Sequence, residues 1–252
     1  MIILFQAPAG WGTPNLSPFC VKLELWLRMM DIPYRVEKGD PRRAPVGKVP
    51  WIEDDGKPLH DSTLIIEHLE RETGRSLDGW LDVGQRARGH ALQRMFEEAT
   101  YSVIGYSRWA EDAVFPEYIQ VLFADMPALV RRFVPKMIRK RILASMHSGG
   151  LMRHDRAQIY RFAEQDLDCF AQQLGDRDYL FGDRPSSYDA VAFGFIGSFS
   201  LVPFDNPARR RVMETDNLRC YVERIRDRYF PELAEVANPA VQTAAQPVAP
   251  AS

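Results

Sequence analysis

Ser17-Pro18-Phe19-Cys20 is the first stretch whose residue types could do chemistry. Ser17 stands where a helix should start. Pro18 fits the first helical position, where its missing N–H costs nothing. A helix start offers free amide donors and the positive end of the dipole, which stabilise a thiolate, the protein's own or a bound one. In a C-x-x-C motif the first position carries the reactive thiol. Here that position is Ser17, whose hydroxyl could donate to a ligand's thiolate. Taken alone, the serine reads first as an N-cap. The second stretch is Gly47-Lys48-Val49-Pro50-Trp51. A proline at a strand entry often marks a cis peptide in a tight turn. A cis bond before Pro50 would expose the Val49 backbone N–H and C=O for pairing with an extended peptide, and Lys48 could reach that peptide's carboxylate. A trans proline with a solvated Lys48 fits the local sequence as well. The third is Asp61-Ser62, at the start of the next helix. Ser62 and the helix amides can take a carboxylate, and Asp61 can take an ammonium. An ordinary capped helix is the alternative.

The elements that must position these residues alternate over the first ~80 residues, as in an α/β unit. Ile2 to Phe5 is a short apolar run. Val21, Leu25 and Met29, with Leu23, Trp26, Leu27 and Met30 alongside, make a broad apolar helix face. Ile32-Pro33 ends that helix, and Tyr34 to Glu37 reads as a strand. Trp51 to Glu53 and Lys57 to Leu59 flank the turn Asp54-Asp55-Gly56, a hairpin signal. A helix through Leu64, Ile65, His68 and Leu69 follows, with Gly74 as its stop. The order β-α-β, hairpin, α is that of thioredoxin-like domains.

From about Gln85 helical periodicity dominates. Helices are expected over Arg88–Ser107, Pro116–Val130, Pro135–Met146, Asp155–Leu174, Ser187–Leu201 and Asn217–Tyr229. Ser186 and Asp189 stand at capping-box spacing ahead of an apolar helix. The domain reading is 1–78 α/β, 79–86 linker, 87–236 all-helical and 237–252 a disordered, uncharged Ala/Pro/Val/Gln tail.

Composition narrows the function classes. The 252 residues are 46% hydrophobic and 26% charged, with 34 acidic against 32 basic side chains. A net charge of −2 gives no global field toward nucleic acid or an anionic surface. Cys20, Cys169 and Cys220 are no disulfide framework, which points to a reducing compartment. The sequence shows neither a signal peptide nor a stretch of ~20 apolar residues. A cytoplasmic location is expected. His147 and His154 have no Cys or acidic cluster to make a metal site with them. Arg209-Arg210-Arg211 is too short to argue nucleic-acid binding. The basic clusters Arg131-Arg132 and Arg139-Lys140-Arg141 read as a solvated helix face, with an amphipathic membrane-facing helix as the alternative.

In Pro14 to Cys20, Lys22 to Met29, Gly47 to Glu53, Asp61 to Ile66, Arg153-His154, Asp166-Leu167 and Phe181 to Ser187, the sequence resembles the glutathione S-transferase superfamily. It looks closest to the branch of metaxins and failed-axon-connections proteins with their bacterial relatives. The resemblance spans nearly the whole chain. It implies a thioredoxin-like N-terminal domain packed on an all-α C-terminal domain, with glutathione as co-substrate and no metal. It also implies a small electrophilic or hydrophobic second substrate and a homodimer. Carried over, Ser17 becomes the catalytic thiolate-side group, and Lys48, Val49, Pro50, Asp61 and Ser62 hold the peptide. Because Ser17 replaces the reactive cysteine, two-cysteine disulfide exchange is not expected. Trp11, Thr13 and Asn15 compete with Ser17 for the thiolate, and Tyr101, Tyr106 and Trp109 are placed beside the electrophile. A non-catalytic metaxin-like adaptor and a ligandin-type carrier are the rival functions.

Overall fold

Strand β1 (Ile2–Gln6) lies at the centre of a four-stranded mixed sheet with β2 (Tyr34–Lys38), β3 (Trp51–Asp54) and β4 (Lys57–His60). The structure is a computed structural model that describes residues 1–40 and 42–236; the tail expected over 237–252 lies outside them. The sheet order is β2-β1-β3-β4. β1 runs parallel to β2, and β3 is antiparallel to both β1 and β4. A parallel pair needs a crossover, which α1 (Pro18–Met29) supplies. The hairpin turn carries positive φ at Asp55 (47°) and Gly56 (80°), as a two-residue turn matched to strand twist requires.

Helix α1 is buried continuously from Cys20 to Leu27. A helix apolar nearly all round must be covered on more than one side. α1 packs on α2 (Ser62–Thr73) and, most extensively, on α8 (Ser187–Ser200) of the helical half. Gly194 permits that approach: a Cβ there would sit 2.6 Å from the Pro18 carbonyl oxygen.

The second half is helical. Helix α3 (Val83–Arg94) starts within residues 79–86. It continues through a π-helical turn (Met95–Thr100) into α4 (Tyr101–Trp109). α5 (Phe115–Leu122), α6 (Ala128–Ser148) and α7 (Arg156–Leu174) follow. Beyond α8 come α9 (Pro207–Glu214), α10 (Asp216–Tyr229) and α11 (Pro231–Val236). The chain thus has the expected fold class, a thioredoxin-like α/β unit followed by an all-α unit.

Two helix expectations are corrected. The helix expected over 116–130 breaks after Leu122, where a bend leads to Pro127. α6 does not begin at Pro135 but passes through it. Proline inside a helix forfeits a backbone bond, yet Pro135 is the buried residue of α6, so packing on the bundle compensates. α9 was not foreseen.

The capping arrangement at Ser186 and Asp189 forms. Asp189 is fully buried and accepts from the Ser186 N–H (2.8 Å), the Ser186 hydroxyl (2.7 Å), the Leu180 N–H (2.8 Å) and the Tyr221 hydroxyl (3.0 Å). Burial pushes its carboxyl up, and the four donors oppose that shift.

Candidate functional site

Ser17 sits half-buried at the N-cap position of α1, and its side chain makes no capping bond. Its N–H instead donates to Asn15 Oδ1 at 2.9 Å. The first intrahelical bond runs from Val21 N–H to the Ser17 carbonyl at 3.0 Å, and Pro18 has no N–H. The Phe19 and Cys20 amides therefore lie at a helix start without intrahelical acceptors. Cys20, one turn in, is fully buried, and burial pushes its thiol up to about 12 against opposing hydrogen bonds from Ala7 and Ser17. A thiol so placed is inert.

A cavity of about 1090 Å³ opens in front of this helix start, walled by both halves of the chain. Ser17, Lys48, Val49 and Asp61 all line it. Lys48 stands exposed on the rim, and the Val49–Pro50 bond is cis. Pro50 and Ser62 are buried behind the wall, where Thr63 and Leu64 face the cavity instead. Asp61 caps α2 through Oδ1, which accepts from Thr63 N–H at 2.9 Å and Leu64 N–H at 3.3 Å. Its φ of 68° is a strained value for a residue with a Cβ. Glu67 and Glu70 extend the acidic wall along α2, and burial raises the Glu70 carboxyl's pKa.

The competitors of Ser17 lie elsewhere. Trp11 stacks edge-on against Phe204, with ring centroids 4.8 Å apart. Thr13 is buried and donates to the Gly10 carbonyl at 2.8 Å. Asn15 is buried and bonds the Ala7 carbonyl and the Ser17 N–H, so it braces the loop. Tyr101 and Trp109 line the apolar half of the cavity with Ile104 and Tyr118. Tyr106 is instead packed edge-on against Tyr160.

Sequence reasoning missed two buried cations in the cavity wall. Lys22, 1% exposed, bonds Glu97 Oε1 and Thr63 Oγ1, each at 2.7 Å. Gln93 Nε2 reaches the same two partners at 3.1 and 3.2 Å. This network ties α1 and α2 to α3 and the π-helical turn. Burial lowers the Lys22 ammonium's pKa, and Glu97 resists that shift. Arg108, 4% exposed, donates to the Leu16 carbonyl and, at 3.3 Å, to the Ser198 carbonyl. It thereby fixes the residue ahead of Ser17 to the helical half. The only hint in the sequence was a charged residue set beside apolar ones in a helix, Lys22 between Val21 and Leu23 and Arg108 beside Trp109.

Among the described residues no cluster of His, Cys, Asp or Glu could hold a metal, and no helix is long and apolar enough to cross a membrane.

The glutathione S-transferase N-terminal domain family matches residues 18–114, and its C-terminal domain family matches 163–225. The isoprene-epoxide–glutathione S-transferase of Rhodococcus sp. (strain AD45) is 30% identical over 236 residues, covering 91% of this chain and 99% of that protein. The chain belongs to the glutathione S-transferase superfamily. Its relatives there include proteins of the metaxin-like branch. It is 28% identical to Failed axon connections of Drosophila melanogaster, over 94% of this chain and 60% of that protein. It is 26% identical to Metaxin-1 of Bos taurus, over 97% and 80%. Among solved structures it shares the fold of the β-etherase LigF from Sphingobium sp. strain SYK-6, with a TM-score of 0.59 at 19% identity over 93% and 99% of the two chains. A glutathione S-transferase from Methylobacterium radiotolerans in complex with glutathione sulfonate gives a TM-score of 0.55 at 18% identity over 100% and 99%.

Proposed function

We propose that this protein binds glutathione in the interdomain cavity and transfers it to a small electrophile. The carrying observation is that one cavity joins a helix start bearing Ser17, the Val49 strand entry and the α2 N-terminus to an apolar wall of Tyr101, Ile104 and Trp109. Its volume, about 1090 Å³, exceeds the usual range for one small ligand and suits a tripeptide plus a second molecule. In this reading the Ser17 hydroxyl and the first amides of α1 hold the glutathione thiolate. Lys48 takes the glycine carboxylate, and the Val49 backbone pairs with the cysteinyl unit. Asp61, with the acidic wall behind it, takes the γ-glutamyl ammonium, and the start of α2, where the Thr63 hydroxyl and not the buried Ser62 faces the cavity, takes its carboxylate. The thiol releases its proton to solvent. The thiolate then attacks an electrophilic carbon, forming an S–C bond as the leaving group, or an opened epoxide oxygen, takes the electron pair. The Rhodococcus relative is named for an epoxide, which makes a small epoxide the first electrophile to test.

Calorimetric titration with glutathione tests the binding step. Wild type should bind, and Asp61→Ala should bind more weakly. No heat at millimolar ligand overturns the proposal. A hydrogen bond to a charged group is worth about 1.5–3 kcal/mol, so Ser17→Ala should lower turnover roughly ten- to hundredfold and raise the bound thiol's pKa. The metaxin likeness favours a second reading, a non-catalytic adaptor. That reading predicts no glutathione binding and a stoichiometric protein partner in a pull-down.

A further inference from the structure

Helix α6 carries six basic residues and no acidic one, in a chain of net charge −2. Its inward side holds Pro135, and Arg139 is spent there: it donates to the Trp109 carbonyl at 2.7 Å and to Asp112 Oδ1 at 2.6 Å. The outward side is different. Leu129, Phe133 and Met137 stand four residues apart and are 74%, 62% and 51% exposed, with Val130 beside them at 41%. Residues at that spacing form one row on a helix. Arg132, Lys136 and Lys140 form the adjacent row, each exposed. Apolar side chains normally face the core. Here the solvent side of the helix presents a row of them, flanked by cations.

We propose that this face of α6 docks the protein on an anionic phospholipid surface. Both rows project from a single convex helix rather than lining a groove, which suits a flat interface. The apolar row can enter the boundary between headgroups and acyl chains, while the long cationic stems reach back to the phosphates. Charge decides against a second copy of this chain, because apposing two such faces would bring their cationic rows together. Ile142, on the inward side of the same helix with Pro135 and Arg139, lines the interdomain cavity about one helix diameter from the docking rows. Docking would therefore hold that cavity close to molecules dissolved in the membrane. The proposal does not depend on glutathione binding.

Flotation of the full chain with phosphatidylcholine vesicles, with and without phosphatidylglycerol, is the test. Binding should require the anionic lipid and weaken as salt is raised. Lys136→Glu and Lys140→Glu should each weaken it about fivefold or more. Phe133→Asp with Met137→Asp should weaken it at least about tenfold. These positions are exposed, so far-ultraviolet circular dichroism should match wild type. No binding to anionic vesicles at low salt overturns the proposal, as does binding that survives all four substitutions. A concentration-dependent dimer in light scattering that the same substitutions abolish also overturns it, and reassigns the face to self-association.

Discussion

Replacing Lys22 by methionine keeps most of the apolar stem and removes the ammonium. Glu97 is then left at the domain junction with its side chain 7% exposed and no cation beside it. Breaking a buried pair from one side costs about 3–5 kcal/mol. Gln93 still donates to both Glu97 oxygens, at 3.1 and 3.2 Å, so the lower end, about 3 kcal/mol, is expected. Adding Glu97→Leu removes the stranded carboxylate and should recover at least about 1 kcal/mol. Lys38→Met is the control. The Lys38–Asp125 pair is 63% and 72% exposed at its side chains, and such pairs are worth about 0–1 kcal/mol. Urea unfolding at neutral pH of wild type, Lys22→Met, Glu97→Leu and their double variant closes the double-mutant cycle, with Lys38→Met measured beside them. A Lys22→Met loss no larger than that of Lys38→Met would refute the reasoning. So would a double variant less stable than Lys22→Met alone.

Gly194→Ala should destabilise by about 1–3 kcal/mol through overpacking, because the new Cβ meets the Pro18 backbone rather than a flexible side chain. It should also weaken glutathione binding by displacing the start of α1; unchanged urea midpoint and affinity would count against both effects. Titration with a thiol reagent at neutral pH should label Cys169 and Cys220, which are exposed, and reach Cys20 only after denaturation. Rapid labelling of Cys20 in the native state would contradict its burial. Burial raises the hydroxyl pKa values of Tyr34, Tyr160, Tyr221 and Tyr229 above 10.0. The unfolded chain loses those protons first, so stability is intact below pH 10.0 and falls as pH rises beyond it. Lys22, with its lowered pKa, acts in the opposite sense. The readout is therefore the difference from Tyr160→Phe, whose alkaline decline in urea midpoint should be shallower; identical slopes would refute the assignment.

The strands and caps were legible because their signals are local. Ile2 to Phe5, the Asp55-Gly56 turn, Asp61 and the Ser186/Asp189 pair each act within a few residues of themselves. Helix boundaries in 110–150 were less legible, because Pro135 is a helix breaker by propensity and is kept inside α6 by packing. The cavity residues divide the same way. Ser17, Lys48, Val49 and Asp61 were named from motif order and do face one cavity. Trp11, Thr13 and Asn15 were indistinguishable from Ser17 in the sequence, because all four lie in one loop and only tertiary packing decides which of them faces the cavity.

By itself the sequence determined the α/β-then-helical organisation, the family and the residues gathered at the helix starts. Only the tertiary structure decided that Lys22 is buried against Glu97, 75 residues away, and that Arg108 bonds the loop ahead of Ser17. It likewise decided that the apolar residues of α6 face outward. The physical reason is range. Capping and turn chemistry are fixed by neighbours in sequence. The burial of a charge or the exposure of an apolar row depends on what the rest of the chain brings alongside it.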